Sequence, residues 1–173
     1  GQRTSKADKL ARAEAASLAR LQKKLARKGI ASNDVKSLRV FEDQDRSDRV
    51  HTHVQQTHNG VPVFGAQAIV HLDPATEAEA QETTDTLVEG VTVSTIPNLS
   101  AADAIAAAAG KYKEKKGCDT CLTEAPRADL WVLRHEGIDH LVYRVQLARL
   151  DGTEHTSEPV YFIDAHGGFV VWS

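Results

Sequence analysis

Aromatic residues make up only 5% of the 173-residue chain, and methionine is absent. A core of this composition must rely on Leu, Val, Ile and Ala, with a few Phe, Tyr and Trp side chains as anchors. No apolar run approaches the length that spans a membrane, so we expect no membrane partner. The 41% of hydrophobic residues suffices for one ordinary core or two small ones, which is typical of a globular protein.

The sequence also lacks the patterns that mark common hydrolases. His-Glu-x-x-His, two zinc ligands on one helix face, does not occur. Gly-x-Ser-x-Gly, the nucleophile elbow, does not occur either. The carboxylates from Glu77 to Glu82 fall within residues 75–86, which have no apolar periodicity and are predicted to form an exposed loop. We therefore predict that the chain is not an enzyme and binds no cofactor.

Positive charge is concentrated at the start of the chain. Residues 1–40 contain eleven Lys/Arg and three Asp/Glu, about +8, whereas the whole chain carries −3. A 3.6-residue period places four leucines on one arc and basic residues opposite, which predicts an amphipathic helix over residues 7–28. The leucines are Leu10, Leu18, Leu21 and Leu25. We favour a solvated outer face for the basic stripe, a helix docked against its own acidic sheet stays open as an alternative, and we predict no nucleic-acid partner.

Residues 50–73 have the clearest strand pattern. Asn59 and Gly60 lie between two β-prone runs and tolerate positive φ angles, so they predict a tight β-hairpin. Alternation along the second strand predicts one covered face and, opposite to it, Gln67 and His71. The residues assigned to the covered face are Phe64, Ala66, Ala68, Val70 and Leu72. Further strands are predicted at residues 35–41 and, interrupted by a glycine, at residues 87–95.

A second series of elements begins after residue 97. Ser100 and Asp103 have the spacing of a capping box, which predicts a helix that runs to about Lys116. Strands are predicted at residues 129–135, 141–150, 160–164 and 169–172, with glycine-containing turns between them. Because strands cluster instead of alternating with helices, we predict an α+β fold of two tandem units. The units are residues 1–96 and 97–173, each a helix packed on an antiparallel sheet in a cystatin-like layout.

Two cysteines and two histidines have the spacing of a zinc finger, C-x2-C-x13-H-x4-H. They are Cys118, Cys121, His135 and His140. A finger places its histidines on a helix, whereas the residues before His135 are strand-like and Gly137 indicates a turn. The alternatives are a local disulfide or two free thiols. His51 and His53 share a strand face and have the geometry of two metal ligands, but because no third ligand is evident, two solvated or hydrogen-bonded histidines are favoured.

The hairpin sequence resembles a known family. Residues 55–65, Gln-Gln-Thr-His-Asn-Gly-Val-Pro-Val-Phe-Gly, and residues 69–73, Ile-Val-His-Leu-Asp, closely resemble the N-terminal propeptide domain of fungalysin and thermolysin-type metallopeptidases. That family commonly has His-Val-Arg-Phe-Gln-Gln before the turn, and here His53 occupies the usual place of the arginine. Residues 99–106, 141–145 and 161–170 look like the helix and strands of a PepSY-type domain. The resemblance covers roughly residues 35–173.

This resemblance implies a pro-region, or a free-standing homologue, that assists the folding of a thermolysin-like zinc metallopeptidase domain and inhibits it, in cis or in trans. It also implies that the peptidase, and not this chain, holds the metal. A secreted or periplasmic location is expected, with the signal peptide removed, and in an exported protein we favour a disulfide between Cys118 and Cys121. Candidate partner contacts are Asn59, Phe64, Phe169, Val171 and Trp172.

Two alternatives stay open at this point. One is a free-standing exported binding module or a peptidase inhibitor that acts in trans. The other is a small metal-binding protein that uses Cys118 and Cys121, or His51 and His53. A peptidase domain encoded after residue 173 would separate a pro-region from the first alternative, and metal content would test the second.

Overall fold

The computed structural model describes residues 5–118 and 120–173. Within these ranges it contains two helices and eight strands in an α+β arrangement. The elements are α1 (Lys6–Arg27), β1 (Val35–Glu42), β2 (Val50–His58), β3 (Val61–Leu72), β4 (Glu79–Asp85), α2 (Ala101–Lys116), β5 (Arg127–His135), β6 (Ile138–Gln146), β7 (Val160–Asp164) and β8 (Val170–Trp172). The chain divides into two compact units, one up to Val91 and one from Thr92. The boundary between residues 96 and 97 stays a prediction.

Helix α1 begins where the Ser5 hydroxyl accepts a hydrogen bond from the Asp8 backbone N–H at 3.1 Å. This side chain satisfies one of the N–H groups that the first helical turn leaves without a partner. One face of the helix is buried, as the leucine spacing predicted, and includes Leu21 and Leu25. In neither described helix are length and hydrophobicity together sufficient to cross a membrane.

Part of the basic stripe on α1 is paired with the rest of the unit, so the favoured solvated face holds only in part and the alternative of a docked helix applies to Lys9 and Arg20. The Lys9 ammonium pairs with the Glu42 carboxylate at 2.5 Å, and the Arg20 guanidinium donates to the Glu77 carbonyl oxygen. The acceptors lie at the end of β1 and in the connection between β3 and β4, positions that the sequence periodicity of α1 does not show.

The first unit is a four-stranded antiparallel sheet in the order β1-β2-β3-β4, with α1 packed on one face. Asn59 and Gly60 have φ angles of 48° and 83°, so the predicted hairpin is confirmed. The residues of its main hydrophobic cluster come from α1, the strands and the segments that follow them. They are Leu21, Leu25, Ile30, Val54, Ala68 and Leu87.

Strand β3 departs from regular alternation near its start. Gln55 pairs with Gln67 and Thr57 pairs with Pro62, so β3 advances by five residues between these two pairs while β2 advances by only two. Gly65 has a φ of +74°, a value that glycine adopts without strain. Ala66, Ala68, Val70 and Leu72 are buried as predicted, but Phe64 is 36% exposed. The prediction for Phe64 was wrong because this irregularity shifts the alternation by one residue.

Two predictions about the segment after the hairpin were also wrong. Strand β4 lies within residues 75–86, which were predicted to be a loop. Its side chains are mostly exposed, so an edge strand can be polar throughout and give no apolar signal. Residues 87–95, predicted as a strand, have no regular secondary structure.

The second unit is a meander in the order β5-β6-β7-β8, with α2 packed against three of its strands. The Ser100 side chain accepts from the Asp103 N–H, and the Asp103 carboxylate accepts from the Ser100 N–H, so the predicted capping box is confirmed. Glu136 and Gly137, at φ 51° and 78°, form the turn between β5 and β6. Strand β6 ends at Gln146, short of the predicted residue 150.

Candidate functional site

The two adjacent glutamines before the hairpin turn are both 2% exposed and act inside the first unit. The Gln55 side-chain amide donates to the carbonyl oxygens of Val63 at 2.7 Å, Ala66 at 3.0 Å and Gln56 at 2.8 Å. Two of these carbonyls belong to the irregular part of β3. Gln55 therefore stabilises the irregular start of that strand.

Gln56 binds the segment that follows β4. Its amide nitrogen donates to the Val88 carbonyl at 2.9 Å, and its amide oxygen accepts from the Val88 N–H at 2.8 Å. One side chain thus satisfies both backbone groups of Val88, as a neighbouring strand would. This explains how residues near Val88 can be held without forming a strand.

Three histidines lie on one face of β2 and β3. His51 and His71 are cross-strand partners, and their Nδ1 atoms are 2.6 Å apart. The Nε2 atom of His51 lies 2.9 Å from Oδ2 of Asp43. His53 is two residues along β2 from His51, and the Phe41 ring packs beside both imidazoles, with centroid separations of 5.2 Å.

The histidines of this face differ in their electrostatic surroundings. Burial lowers the pKa of His71, and the nearby His51, His53 and Arg49 lower it further. Burial also lowers the pKa of His53, with a contribution from Arg39. The hydrogen bond from His51 lowers the pKa of the Asp43 carboxyl. The fold therefore favours the uncharged forms of His53 and His71.

A second polar cluster forms the turn between β7 and β8. Oδ1 of Asp164 accepts from the backbone N–H groups of His166 at 2.9 Å and Gly167 at 2.7 Å, while Oδ2 lies 3.0 Å from Nδ1 of His140. Burial raises the pKa of Asp164, but the hydrogen bonds from Gly167, His140 and His166 outweigh it and leave the pKa below its ordinary value. A glycine-containing turn was predicted here, but the pairing of Asp164 with His140 on the neighbouring strand was not.

The candidate partner contacts are distributed over both units. In the first unit Asn59 is at the exposed hairpin tip and Phe64 is near the start of β3. In the second unit Phe169 is 53% exposed and Trp172 is 48% exposed, whereas Val171 packs partly buried against the cluster around Phe162. Trp172 stacks on Phe162 with a centroid separation of 5.4 Å. A contact role for these residues stays a prediction.

The two sulfur atoms of Cys118 and Cys121 are joined in a disulfide. Asp119, between them, lies outside the described residues. Because zinc binds thiolates, a disulfide-bonded pair cannot form a four-ligand zinc site with His135 and His140, an alternative that the strand-like residues before His135 already disfavoured. Among the described residues, no group of three or more His, Cys, Asp or Glu side chains is arranged to hold a metal ion.

Comparison with known proteins agrees with the geometry of the hairpin unit. Residues 39–77 match the Fungalysin/Thermolysin Propeptide Motif. The matched segment begins within β1 and ends after β3, so it includes the hairpin, both glutamines and the whole histidine face. This propeptide family is non-catalytic, which is consistent with the prediction that the chain is not an enzyme.

The chain is also similar to Bacillolysin from Brevibacillus brevis, with 31% identity over 131 residues. The aligned region is 72% of this chain but only 24% of that protein, so the chain spans about a quarter of the length of the relative it matches. Together the motif and this similarity support a thermolysin-like propeptide.

Proposed function

We propose that the chain is the pro-region of a thermolysin-like metallopeptidase, or a free-standing homologue of such a pro-region, and that it acts as a folding chaperone and inhibitor of the peptidase domain. The observation that carries this proposal is the match of residues 39–77 to the propeptide motif over a hairpin with its own buried polar network. The peptidase domain is the implied partner, and no nucleic-acid or membrane partner is indicated.

The physical basis of the chaperone role is a preformed antiparallel sheet. Slow-folding chains expose apolar surface and unpaired strands, which lead to aggregation. A sheet whose irregular strand is already fixed by Gln55, with the segment around Val88 held by Gln56, offers a rigid surface against which such a chain can order. Inhibition follows if the same surface binds the folded enzyme.

The finer organisation is also part of the proposal. We infer that residues 1–96 form the propeptide-motif domain, that residues 97–173 form a PepSY-like domain, and that both have a cystatin-like layout. Support comes from a helix packed on an antiparallel sheet in each described unit. We further infer a secreted or periplasmic location, in keeping with the disulfide between Cys118 and Cys121.

We assign partner contact to residues that are exposed at the hairpin tip and around β8. Exposed aromatic side chains are favoured anchors in protein interfaces. Phe169 is the sharpest test of this assignment, because its ring is more than half exposed and it lies outside the hydrophobic cluster of its unit.

The test adds the purified chain to a thermolysin-type peptidase in two ways. When the denatured enzyme is diluted into buffer, the chain should raise the recovered activity, and when it is mixed with the native enzyme at roughly micromolar concentration it should inhibit. Absence of both effects against several thermolysin-type enzymes would contradict the proposal. Inhibition without assistance of refolding would favour the alternative of a trans-acting inhibitor.

A matched pair of variants tests the contact surface. Phe169→Ala should weaken inhibition, because it removes an exposed ring of the assigned surface. Ile96→Ala is the control, since Ile96 is 76% exposed and apolar but lies outside that surface. Equal inhibition by both variants and the unmodified chain would exclude Phe169 from the interface.

A further inference from the structure

The histidine face, formed by His51, His53 and His71, lies on the side of the sheet opposite α1. Thr52, between the two histidines of β2, points the other way and donates its hydroxyl hydrogen to Ser17 of α1 at 3.1 Å. Successive side chains of a strand point to opposite faces, so the imidazoles do not contact this helix. His71 is only 9% exposed, although it lies on the outer face.

The pair of His51 and His71 has room for one bridging proton. In the neutral pair, Nε2–H of His51 donates to Asp43, so Nδ1 of His51 accepts from Nδ1–H of His71. If both rings were cationic, two N–H groups would face each other across 2.6 Å. Adding two protons to the neutral pair, so that both rings are cationic, therefore breaks the contact between the rings.

The charges around this face do not compensate for added protons. Positive groups near the histidines come from β1 and from the turn before β2, and negative groups come from the residue after β1 and from the start of β4. The positive groups are Arg39, Arg46 and Arg49, and the negative groups are Asp43 and Glu79. Asp43 already accepts from His51, so little negative charge is left to stabilise a charged His53 or His71.

We propose that His51, His53 and His71 form a proton-responsive cluster that loosens the first unit when the solution becomes mildly acidic. The proposal concerns this chain alone and does not depend on a peptidase partner. A histidine whose pKa is lower in the folded state than in the unfolded state binds protons preferentially when unfolded. Its stabilising effect is complete above the ordinary pKa of about 6.5 and is lost as the pH falls below that value.

The linkage sets the size of the expected effect. At a pH of about 5.5, one unit below the ordinary histidine pKa, each histidine kept uncharged by the fold raises the unfolding equilibrium constant by up to about tenfold relative to neutral pH. Because His53 and His71 are both affected, the first unit should lose more stability than a single buried histidine would cause.

The measurement must report on the first unit specifically. All tryptophans and tyrosines follow Thr92, so intrinsic fluorescence reports on the second unit and not on the histidine face. Hydrogen exchange of the full chain, followed by mass spectrometry and corrected for intrinsic exchange, gives protection factors for β2 and β3 separately. These should fall between about pH 7.5 and about pH 5.5, while urea unfolding of the second unit by fluorescence changes less.

A variant and its control test whether the pH dependence of protection comes from the histidine face. His71→Gln keeps an amide donor near Nδ1 of His51 but cannot be protonated, so it should reduce the pH dependence of protection in β2 and β3. His155→Gln changes a histidine of the second unit that is 61% exposed, and it should leave that dependence intact. Equal protection of β2 and β3 at both pH values in the unmodified chain would overturn the proposal.

A proton NMR titration of the unmodified chain needs no variant and covers the case in which His71→Gln does not fold. Ring signals of His53 and His71 that titrate independently, each near the ordinary pKa of about 6.5, would contradict the coupled cluster. Coupled titration, with at least one ring protonated only at lower pH, is the expected result.

Discussion

Replacing Gln55 with leucine tests whether the motif hairpin depends on its buried amide. The side chain is 2% exposed and donates to the backbone carbonyl oxygens of Val63, Ala66 and Gln56. Leucine has a similar size but no donor, so carbonyl groups that are bonded in the native unit lose that partner. A buried acceptor left without a partner costs about 1–3 kcal/mol.

The bonds to Val63 and Ala66 dominate the estimate because both carbonyls lie in the irregular part of β3. Losing the two bonds should lower the free energy of unfolding of the first unit by about 2–4 kcal/mol, since burial of the apolar leucine side chain offsets only part of the cost. Since whole domains are stable by only about 5–15 kcal/mol, this change is large.

The assay is a urea titration followed by two-dimensional NMR, using backbone amide signals of β2 and β3. Gln81→Leu, an exposed glutamine in β4 of the same sheet, is the matched control and should change the stability by less than about 0.5 kcal/mol. If Gln55→Leu is as stable as that control, the amide does not stabilise the irregular strand and the reasoning fails. Gln55→Glu should be more harmful still, because it sets a carboxylate oxygen against carbonyl oxygens.

Three further changes have defined outcomes. Gly65→Ala should destabilise the first unit by about 1–2 kcal/mol in the same NMR assay, because the φ angle at this position is +74°. The added Cβ atom would meet nothing within 4 Å, so the cost comes from the backbone conformation and not from a clash. An unchanged urea midpoint would show that the backbone relaxes. Ser100→Ala should cost the second unit about 1 kcal/mol in a fluorescence-detected urea titration, since the capping box with Asp103 is lost; no shift would mean that α2 does not need its cap. The pKa of Asp164 is lowered from its ordinary value of about 3.8, so the second unit should lose stability as the pH falls from that value through the lowered pKa. Asp164→Asn should flatten this pH dependence. If the variant keeps the acid transition, the transition belongs to other carboxyl groups.

Local signals were sufficient for much of the fold. The Asn59 and Gly60 turn, the leucine face of α1 and the capping box of α2 were each predicted from a few adjacent residues, and each is confirmed. Such features depend on intrinsic φ preferences and short-range hydrogen bonds, which a sequence displays directly.

Elements fixed by distant partners could not be predicted in the same way. Strand β4 is polar, and its backbone pairing with β3 is what makes it a strand. Val88 looks strand-like, but the Gln56 side chain takes up its N–H and C=O groups in place of a neighbouring strand. In both cases the deciding contact is with residues remote in sequence.

The histidine face shows the same limit at the level of a site. His51 and His53 share a strand face, as their spacing predicted, but no third histidine was assigned to them. A regular two-residue hairpin would not pair His51 with His71, because that pairing depends on the extra residues of β3 between Pro62 and Gln67. A shift in register that the sequence does not show directly therefore brings the two rings together.

The irregular start of β3 also determines which changes in chain length the hairpin can accept. Val63 and Ala66 are both buried although three positions separate them, so one residue more than strict alternation is accommodated between them. Deleting one residue between them would place them two positions apart, a spacing at which strict alternation keeps both side chains on the buried face. An insertion into a regular part of β2 or β3 moves every later side chain to the other face, so an insertion library in this hairpin should yield folded members chiefly at the Asn59 and Gly60 tip.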